Sequence, residues 1–269
     1  MKDIRVAAVV MCSPLGQTDA NLDRMEAWTA AACKAGAALV CFPEMNITGY
    51  GIQPDIAHSA ESIHGPICDR LRNMARSHDL VIMAGMAERG LRDHLYASHL
   101  IVRPTGGVEV YRKTHIAPPE RPVFTPGAAV PVFEARGIRF GIQLCYDLHF
   151  PELATRMALA GAEVIFCPHA SPRGTPEEKH RSWLRHLPAR AFDNGLFVVA
   201  CNQCGKNGQG LDFPGLALAL GPAGHIMAAD VSGHEGLLVL DLKKNALEGV
   251  RRHPMRYFLP NRRPELYGA

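Results

Sequence analysis

Arg139-Phe140-Gly141-Ile142-Gln143-Leu144 forms a short, mostly apolar run, Cys145-Tyr146-Asp147-Leu148-His149-Phe150 interrupts it, and Pro151-Glu152-Leu153-Ala154 begins a new periodicity. The run reads as a buried strand and the interruption as a tight turn. Proline suits the first turn of the helix that follows, over 151–160, because the N–H it lacks would find no helical partner there. Strand, turn and helix in this order are the building unit of an α/β fold. Open α/β sheets present their reactive groups just past the strand ends, and here that position is held by Cys145.

The same alternation extends in both directions. Upstream, 4–11 and 38–42 read as strands, the second closed by Pro43; 80–86, 97–103 and 108–112 follow as three more, the last two joined by Pro104-Thr105-Gly106-Gly107. Residues 21–35 predict a helix with Leu22, Met25, Thr29 and Ala32 on one face and Gly36 as its stop, and 67–78 predict another. Downstream come a strand at 164–167, one long helix over 177–194, and strands at 196–201, 216–220 and 237–240. The Pro/Gly-rich stretch 118–131 reads as a loop, and the tail beyond Leu242 shows little periodicity. Direct hairpins among the βα units predict a mixed α/β fold in a single domain spanning 1–269, with no internal repeat in the sequence.

Bulk properties narrow the function. The 269 residues are 47% hydrophobic and 20% charged, the balance of an ordinary globular chain with ample material for a core. A net charge of +3 is a mild excess, so nucleic acid is not an expected partner. No apolar run approaches the roughly 18 residues that cross a bilayer, and Asp3 is a poor start for a cationic signal peptide. The eight cysteines (12, 33, 41, 68, 145, 167, 201 and 204) are scattered through apolar runs, as reduced thiols are, and a cytoplasmic location is expected. Asn46-Ile47-Thr48 matches a glycosylation triplet, which without a secretory signal is expected to be accidental.

Three charged or nucleophilic side chains sit just beyond strands: Glu44 after Leu39-Val40-Cys41-Phe42-Pro43, Lys113 after Val108-Glu109-Val110-Tyr111-Arg112, and Cys145. Taken singly, each has an ordinary explanation as a loop charge, a surface charge and a small core residue. Taken together they are specific. Phe42-Pro43-Glu44 with Thr48-Gly49-Tyr50, Tyr111-Arg112-Lys113-Thr114-His115, and Leu144-Cys145-Tyr146-Asp147 with Phe150-Pro151-Glu152 resemble, in order and separation, the three active-site blocks of the nitrilase superfamily of carbon–nitrogen hydrolases. Phe124-Thr125-Pro126-Gly127 and Arg190-Ala191-Phe192-Asp193-Asn194-Gly195 add weaker agreement.

The resemblance implies a four-layer α-β-β-α sandwich, a homodimer or larger assembly, and a Glu44–Lys113–Cys145 triad working without metal or organic cofactor. It also implies a second carboxylate between the lysine and the cysteine, a place that Glu120 fills. Elementary chemistry agrees with these roles. A free thiol is only a few per cent thiolate near neutrality and needs a base or a cation beside it. Glu44 can take the thiol proton and later give it to the departing amine. Negative charge that develops on an attacked amide oxygen can be met by the Lys113 ammonium and a backbone N–H such as that of Tyr146.

The substrate expected is a small linear amide, with an N-carbamoyl compound as the alternative and a nitrile or a catalytically silent scaffold behind it. Tyr50, Tyr146, His149, Ser171 and Arg173 are the candidate binding residues. His149 and Arg173 are cations that would favour a carboxylate-bearing amide, although the expected arginine is replaced by histidine at 149. Leu216-Ala217-Leu218-Ala219 also lacks the serine common there in relatives. Cys201-Asn202-Gln203-Cys204 has the spacing of a redox or zinc pair, but a lone pair after a buried strand reads as structural. The thirteen histidines show no recognised ligand spacing.

Overall fold

The computed structural model describes residues 1–267. Two six-stranded sheets face each other. The first contains β1 (Ile4–Val10), β2 (Leu39–Cys41), β3 (Val81–Arg89), β4 (Leu95–Val102) and β5 (Val108–Arg112). The second contains β6 (Phe133–Ala135), β7 (Ile138–Ile142), β8 (Val164–His169), β9 (Phe197–Asn202), β12 (Gly215–Leu220) and β13 (Ile226–Gly233). A hairpin of β10 (Gly205–Lys206) and β11 (Asp212–Phe213) stands apart, and β14 (Gly236–Leu242) returns to the first sheet. The helices are α1 (Thr18–Lys34), α2 (Pro66–His78), α3 (Pro151–Leu159), α4 (Pro176–Trp183), α5 (Leu187–Asn194) and α6 (Lys244–Arg251).

The sheets run β14-β1-β2-β3-β4-β5 and β13-β12-β9-β8-β7-β6. Each has three parallel strands at its centre, β1-β2-β3 in one and β7-β8-β9 in the other, flanked by antiparallel neighbours. The two sheets thus share one pattern of strand directions although the sequence shows no repeat; they differ in that β14 reaches the edge of the first from the far end of the chain, while β6 directly precedes β7 in the second.

Strand alternation builds the layers. In β1, Val6, Ala8 and Val10 face the second sheet, while Ala7 and Val9 face the helices. Both sides are apolar because both are covered. Leu22, Met25 and Ala32 of α1 join Ile67, Leu71, Met74 and Ala75 of α2 on the outside of the first sheet. On the outside of the second, α3 lies so close that a Cβ at Gly141 would come within 2.4 Å of the Met157 sulfur. The outcome is the four-layer α-β-β-α sandwich, in which burying each such aliphatic side chain contributes about 1.5–3 kcal/mol.

One expectation needs correction, and two elements lay outside the sequence reading. The long helix over 177–194 is two helices, α4 and α5, because Pro188 brings no N–H and its ring would meet the carbonyl of Leu184 in a continuous helix. The tail beyond Leu242 holds α6, which buries Leu247 and Val250, a stripe too narrow to stand out in the sequence. β13 was also unanticipated, because as an edge strand it is only half-buried and lacks an apolar run. Asn46, in the glycosylation triplet, is fully buried and accepts the Gly85 N–H at 2.8 Å, so it is a structural residue.

Candidate active site

Glu44 is held by a loop that β3 shapes. The chain leaves β2 through Pro43, and Met45 takes a left-handed φ of 56°. Asn46 and Ile47 then dock on Gly85, whose N–H and carbonyl both bond to this loop. Gly85 must be glycine, since a Cβ there would sit 2.3 Å from the Met45 nitrogen. Thr48 Oγ1 accepts the Ala87 N–H at 3.0 Å, and Gln203 Nε2 donates to the Glu44 carbonyl at 2.7 Å. The carboxylate is fixed from both ends: Lys113 Nζ donates to Oε1 at 2.7 Å, and the Ala170 N–H donates to Oε2 at 3.0 Å.

Lys113 follows the last residue of β5, and its backbone is bonded on both sides, N–H to Ala97 O at 2.9 Å and carbonyl to the Gly127 N–H at 2.7 Å. A Cβ at Gly127 would lie 2.4 Å from the Arg112 carbonyl oxygen, which explains the glycine in the Phe124–Gly127 block. Besides Glu44, Nζ donates to Glu120 Oε1 at 2.8 Å. Glu120 is itself pinned by the Tyr50 hydroxyl at 2.8 Å and the Ala117 N–H at 3.0 Å. Glu44, Lys113 and Glu120 are 1%, 1% and 3% exposed, so this charged trio works almost free of water.

Cys145 opens a 3₁₀ turn over Cys145–His149 with a left-handed φ of 41°, a conformation non-glycine residues adopt at a cost. The turn persists because Asp147, fully buried, ties it down. Asp147 Oδ2 accepts the Leu144 N–H at 3.0 Å and the Tyr111 hydroxyl at 2.8 Å; Oδ1 accepts the His115 N–H at 2.8 Å and the Thr114 hydroxyl at 2.9 Å. From behind, Arg190 grips the Leu148 carbonyl with two N–H groups at 2.9 and 3.0 Å. The cysteine itself stays partly open.

The sulfur lies within electrostatic reach of Glu44, Lys113, Glu120 and Lys179. Burial, reinforced by the Glu44 charge, pushes the Cys145 thiol up to about 12. Burial also raises Glu44 to about 7 against the pull of Lys113. Burial opposes the charge on Lys113, but the two carboxylates outweigh it and hold that ammonium well above its usual pKa. The resting site therefore pairs a neutral thiol with a fixed cation and a carboxyl that exchanges its proton near neutrality. Such a set can deprotonate a thiol as it attacks and neutralise an oxyanion.

The expected binding residues divide into two groups. Tyr50 is buried on Glu120 and packs edge-on to Phe213 at 6.0 Å, and Tyr146 is half-buried between His149 and Phe150. Ser171 is half-buried next to Ala170, which holds Glu44, and its N–H bonds to Asn202 Oδ1 at 2.9 Å. His149 and Arg173 are exposed. His149 lies 4.8 Å from the His186 ring, and partial burial together with the Arg190 charge lowers its pKa.

Sequence reasoning missed the supports. Asp147, Tyr111, Gln203 and Lys179 were passed over as site residues, although buried polar side chains at strand ends could have drawn attention to Asp147 and Gln203. Cys201 and Cys204 are buried, and like the other six cysteines they are unbridged. Among the described residues no cluster of three or more His, Cys, Asp or Glu could hold a metal.

A partly open thiol, a buried carboxylate and a lysine set at the strand ends of an α-β-β-α sandwich define a cysteine hydrolase site. The chain belongs to the carbon-nitrogen hydrolase family, whose model matches residues 5–252. It is 32% identical to an (R)-stereoselective amidase of Pseudomonas sp over 93% of this chain and 88% of that one. It is 29% identical to the N-carbamoylputrescine amidase of Solanum lycopersicum over 92% of this chain and 88% of the relative. Among solved structures, an amidase of Nesterenkonia sp. AN1 from the nitrilase superfamily superposes with a TM-score of 0.85 at 27% identity, covering 98% of this chain and 95% of its own. Another structure of that amidase, with a TM-score of 0.84 at 28% identity over 98% of each chain, carries acrylamide added at its active-site cysteine. The present chain is an enzyme of this family, a carbon-nitrogen hydrolase.

Proposed function

We propose that Cys145, Glu44 and Lys113 are the nucleophile, base and oxyanion partner of this amidase, acting on a small linear amide through a thioester. The Cys145 thiol attacks the amide carbon, its proton passing to Glu44 as the S–C bond forms. Charge gathers on the former carbonyl oxygen, where the Lys113 ammonium and the Tyr146 N–H receive it. The intermediate collapses by breaking the C–N bond, and Glu44 returns the proton to the leaving ammonia. Glu44 then takes a proton from water, whose oxygen attacks the thioester; the C–S bond breaks, the carboxylic acid leaves, and Glu44 returns that proton to the sulfur to restore the thiol. No metal or organic cofactor enters any step.

One observation carries this reading: Lys113 Nζ bridges Glu44 and Glu120 at 2.7 and 2.8 Å in a water-poor cleft beside a partly open cysteine. Glu120 keeps the ammonium aimed, and Tyr50 keeps Glu120 aimed. The test is ammonia release from a panel of amides, N-carbamoyl compounds and nitriles. Turnover of amides above the other two classes is the expected result; turnover of nitriles alone would overturn it.

The second reading, hydrolysis of an N-carbamoyl group, is favoured by the similarity to the N-carbamoylputrescine amidase. It uses the same residues and gives amine, carbon dioxide and ammonia. We also assign the chain a single domain, a cytoplasmic location and a homodimeric or larger assembly. The first rests on the core shared by the two sheets, the second on free cysteines and on the fact that no described helix is long and apolar enough to cross a membrane. The assembly rests on the family alone, and light scattering that returned only a 29.3 kDa particle would contradict it.

A further inference from the structure

Lys179 sits in α4 and reaches back to the segment that holds the base. Its Nζ donates to Ser171 Oγ at 2.8 Å and to the Pro172 carbonyl at 3.0 Å. Ser171 is immobilised in turn, since Asn202 accepts its N–H at 2.9 Å and donates to its carbonyl at 3.1 Å. The preceding residue, Ala170, gives its N–H to Glu44. The start of α4 is fixed as well: Thr175 Oγ1 accepts the Glu178 N–H at 3.2 Å, and Glu178 Oε2 accepts the Thr175 N–H at 2.9 Å. Lys179 is therefore a placed ammonium, not a swinging surface charge.

Its surroundings are unusual for a lysine. The side chain is half-buried, and among the described residues no carboxylate stands within ion-pair distance of Nζ. The other lysine at the site, Lys113, has two such partners. Lysines removed from water are ordinarily paired, because desolvating an ammonium without a counter-charge is costly. The Cys145 sulfur lies within electrostatic reach of this ammonium, and the Ser171 segment that Nζ grips is the one whose Ala170 N–H holds Glu44. Two of the three ammonium N–H groups are engaged by neutral oxygens, leaving one donor and the whole positive charge for a ligand.

We propose that Lys179 forms the anion subsite of the Cys145 pocket, reading a carboxylate on the substrate remote from the scissile amide, with Ser171 as the positioning residue that aims it. This rests on the amidase reading above. A charge-assisted bond from ammonium to carboxylate fixes the far end of the substrate and orients its carbonyl. The same ammonium repels a substrate that ends in an amine, so cationic carbamoyl compounds should be poor substrates. His149 and Arg173, both exposed, are then secondary to it.

The experiment compares kcat and KM on three amides of equal length: a dicarboxylic acid monoamide, its uncharged isostere and an ω-amino amide. Wild type should prefer the monoamide and use the amino amide least. Lys179→Met should raise KM for the monoamide and lose about 10- to 100-fold more kcat/KM on it than on the uncharged amide, the range for one charged hydrogen bond. Lys179→Arg should keep the order of preference. Ser171→Ala should weaken the monoamide preference through KM rather than kcat. Three results would each overturn the subsite: no wild-type preference for the monoamide while the uncharged amide turns over, an unchanged preference in Lys179→Met, or an equal loss of kcat on all three substrates with a shifted pH profile. The last would place Lys179 on the thiolate instead. Ammonia from none of the three would sink the amidase reading, and this proposal with it.

Discussion

The Tyr111 hydroxyl donates to Asp147 Oδ2 across 2.8 Å, joining the end of β5 in one sheet to the cysteine turn beyond β7 in the other. Lys113 lies two residues past this tyrosine and Cys145 two residues before this aspartate. Together with the Thr114 hydroxyl and the His115 N–H on Oδ1, the bond fixes the lysine-to-cysteine register, which neither sheet can set alone. Tyr111→Phe removes the donor and leaves a buried carboxylate oxygen with one partner fewer; the expected cost is about 1–3 kcal/mol of stability and a drop in kcat larger than any change in KM. Denaturant melts alongside steady-state kinetics check both. A variant with unchanged kcat would show that the register is set elsewhere.

Cys145→Ala should abolish ammonia release with the fold retained, because a small side chain replaces a partly open one and relieves no core contact. On wild type, substrate incubation should leave an acyl or carbamoyl adduct on the peptide containing Cys145, read by mass spectrometry. Activity that survives here but dies in Cys201→Ala or Cys204→Ala would transfer the nucleophile to the second pair.

Glu44 gives a pH prediction in two parts. A base must be ionised, and burial raises this carboxyl from 4.5 to about 7, so kcat/KM should rise with pH through about 7. For stability the sign is opposite. Between pH 4.5 and about 7 the folded chain keeps a proton that the unfolded chain releases, so stability from this group is complete below 4.5 and is lost as pH rises through 7. Glu44→Gln should lower kcat by orders of magnitude, and its melting temperature relative to wild type should improve as pH increases. Thermal melts at pH 5 and pH 8 that differed equally for both proteins would contradict the shift.

Lys113→Ala should be worse than Glu120→Gln in both activity and stability. Removing the ammonium leaves Glu44 and Glu120 buried without their shared counter-charge, the costly way to break a buried ion pair, about 3–5 kcal/mol. Losing an oxyanion donor should also cost about 100- to 1,000-fold in kcat. Glu120→Gln keeps an oxygen for Tyr50 and Lys113 and should reduce kcat less. The reverse order, measured on the same amide, would remove Lys113 from the role of the group that meets the developing charge.

Much of this was legible in the chain. Apolar runs marked most strands because the strands are covered on both faces, and Pro43, Pro151 and the turn at Cys145 punctuated the units. The candidate residues Glu44, Lys113 and Cys145 were legible because each lies in a short local motif beside a strand end, whereas Glu120, in a turn between β5 and β6, was reached only through the family resemblance. Periodicity alone failed where covering was partial or the backbone was broken: β13 at an edge, the short α6, and the helix that Pro188 divides.

What the sequence determined by itself was the identity and order of the chemical groups, since a strand followed by a turn is a local event of a few residues. What only the tertiary structure decided was their mutual geometry. Glu44 meets Ala170 and Gln203, Tyr111 meets Asp147, and Lys179 meets Ser171 through contacts that mostly join distant segments, several across the two sheets. Burial, which raises Glu44 and leaves Lys179 without a counter-charge, is likewise a property of the packed sandwich. It depends on which surfaces meet when the sheets close, and no window along the chain contains that information.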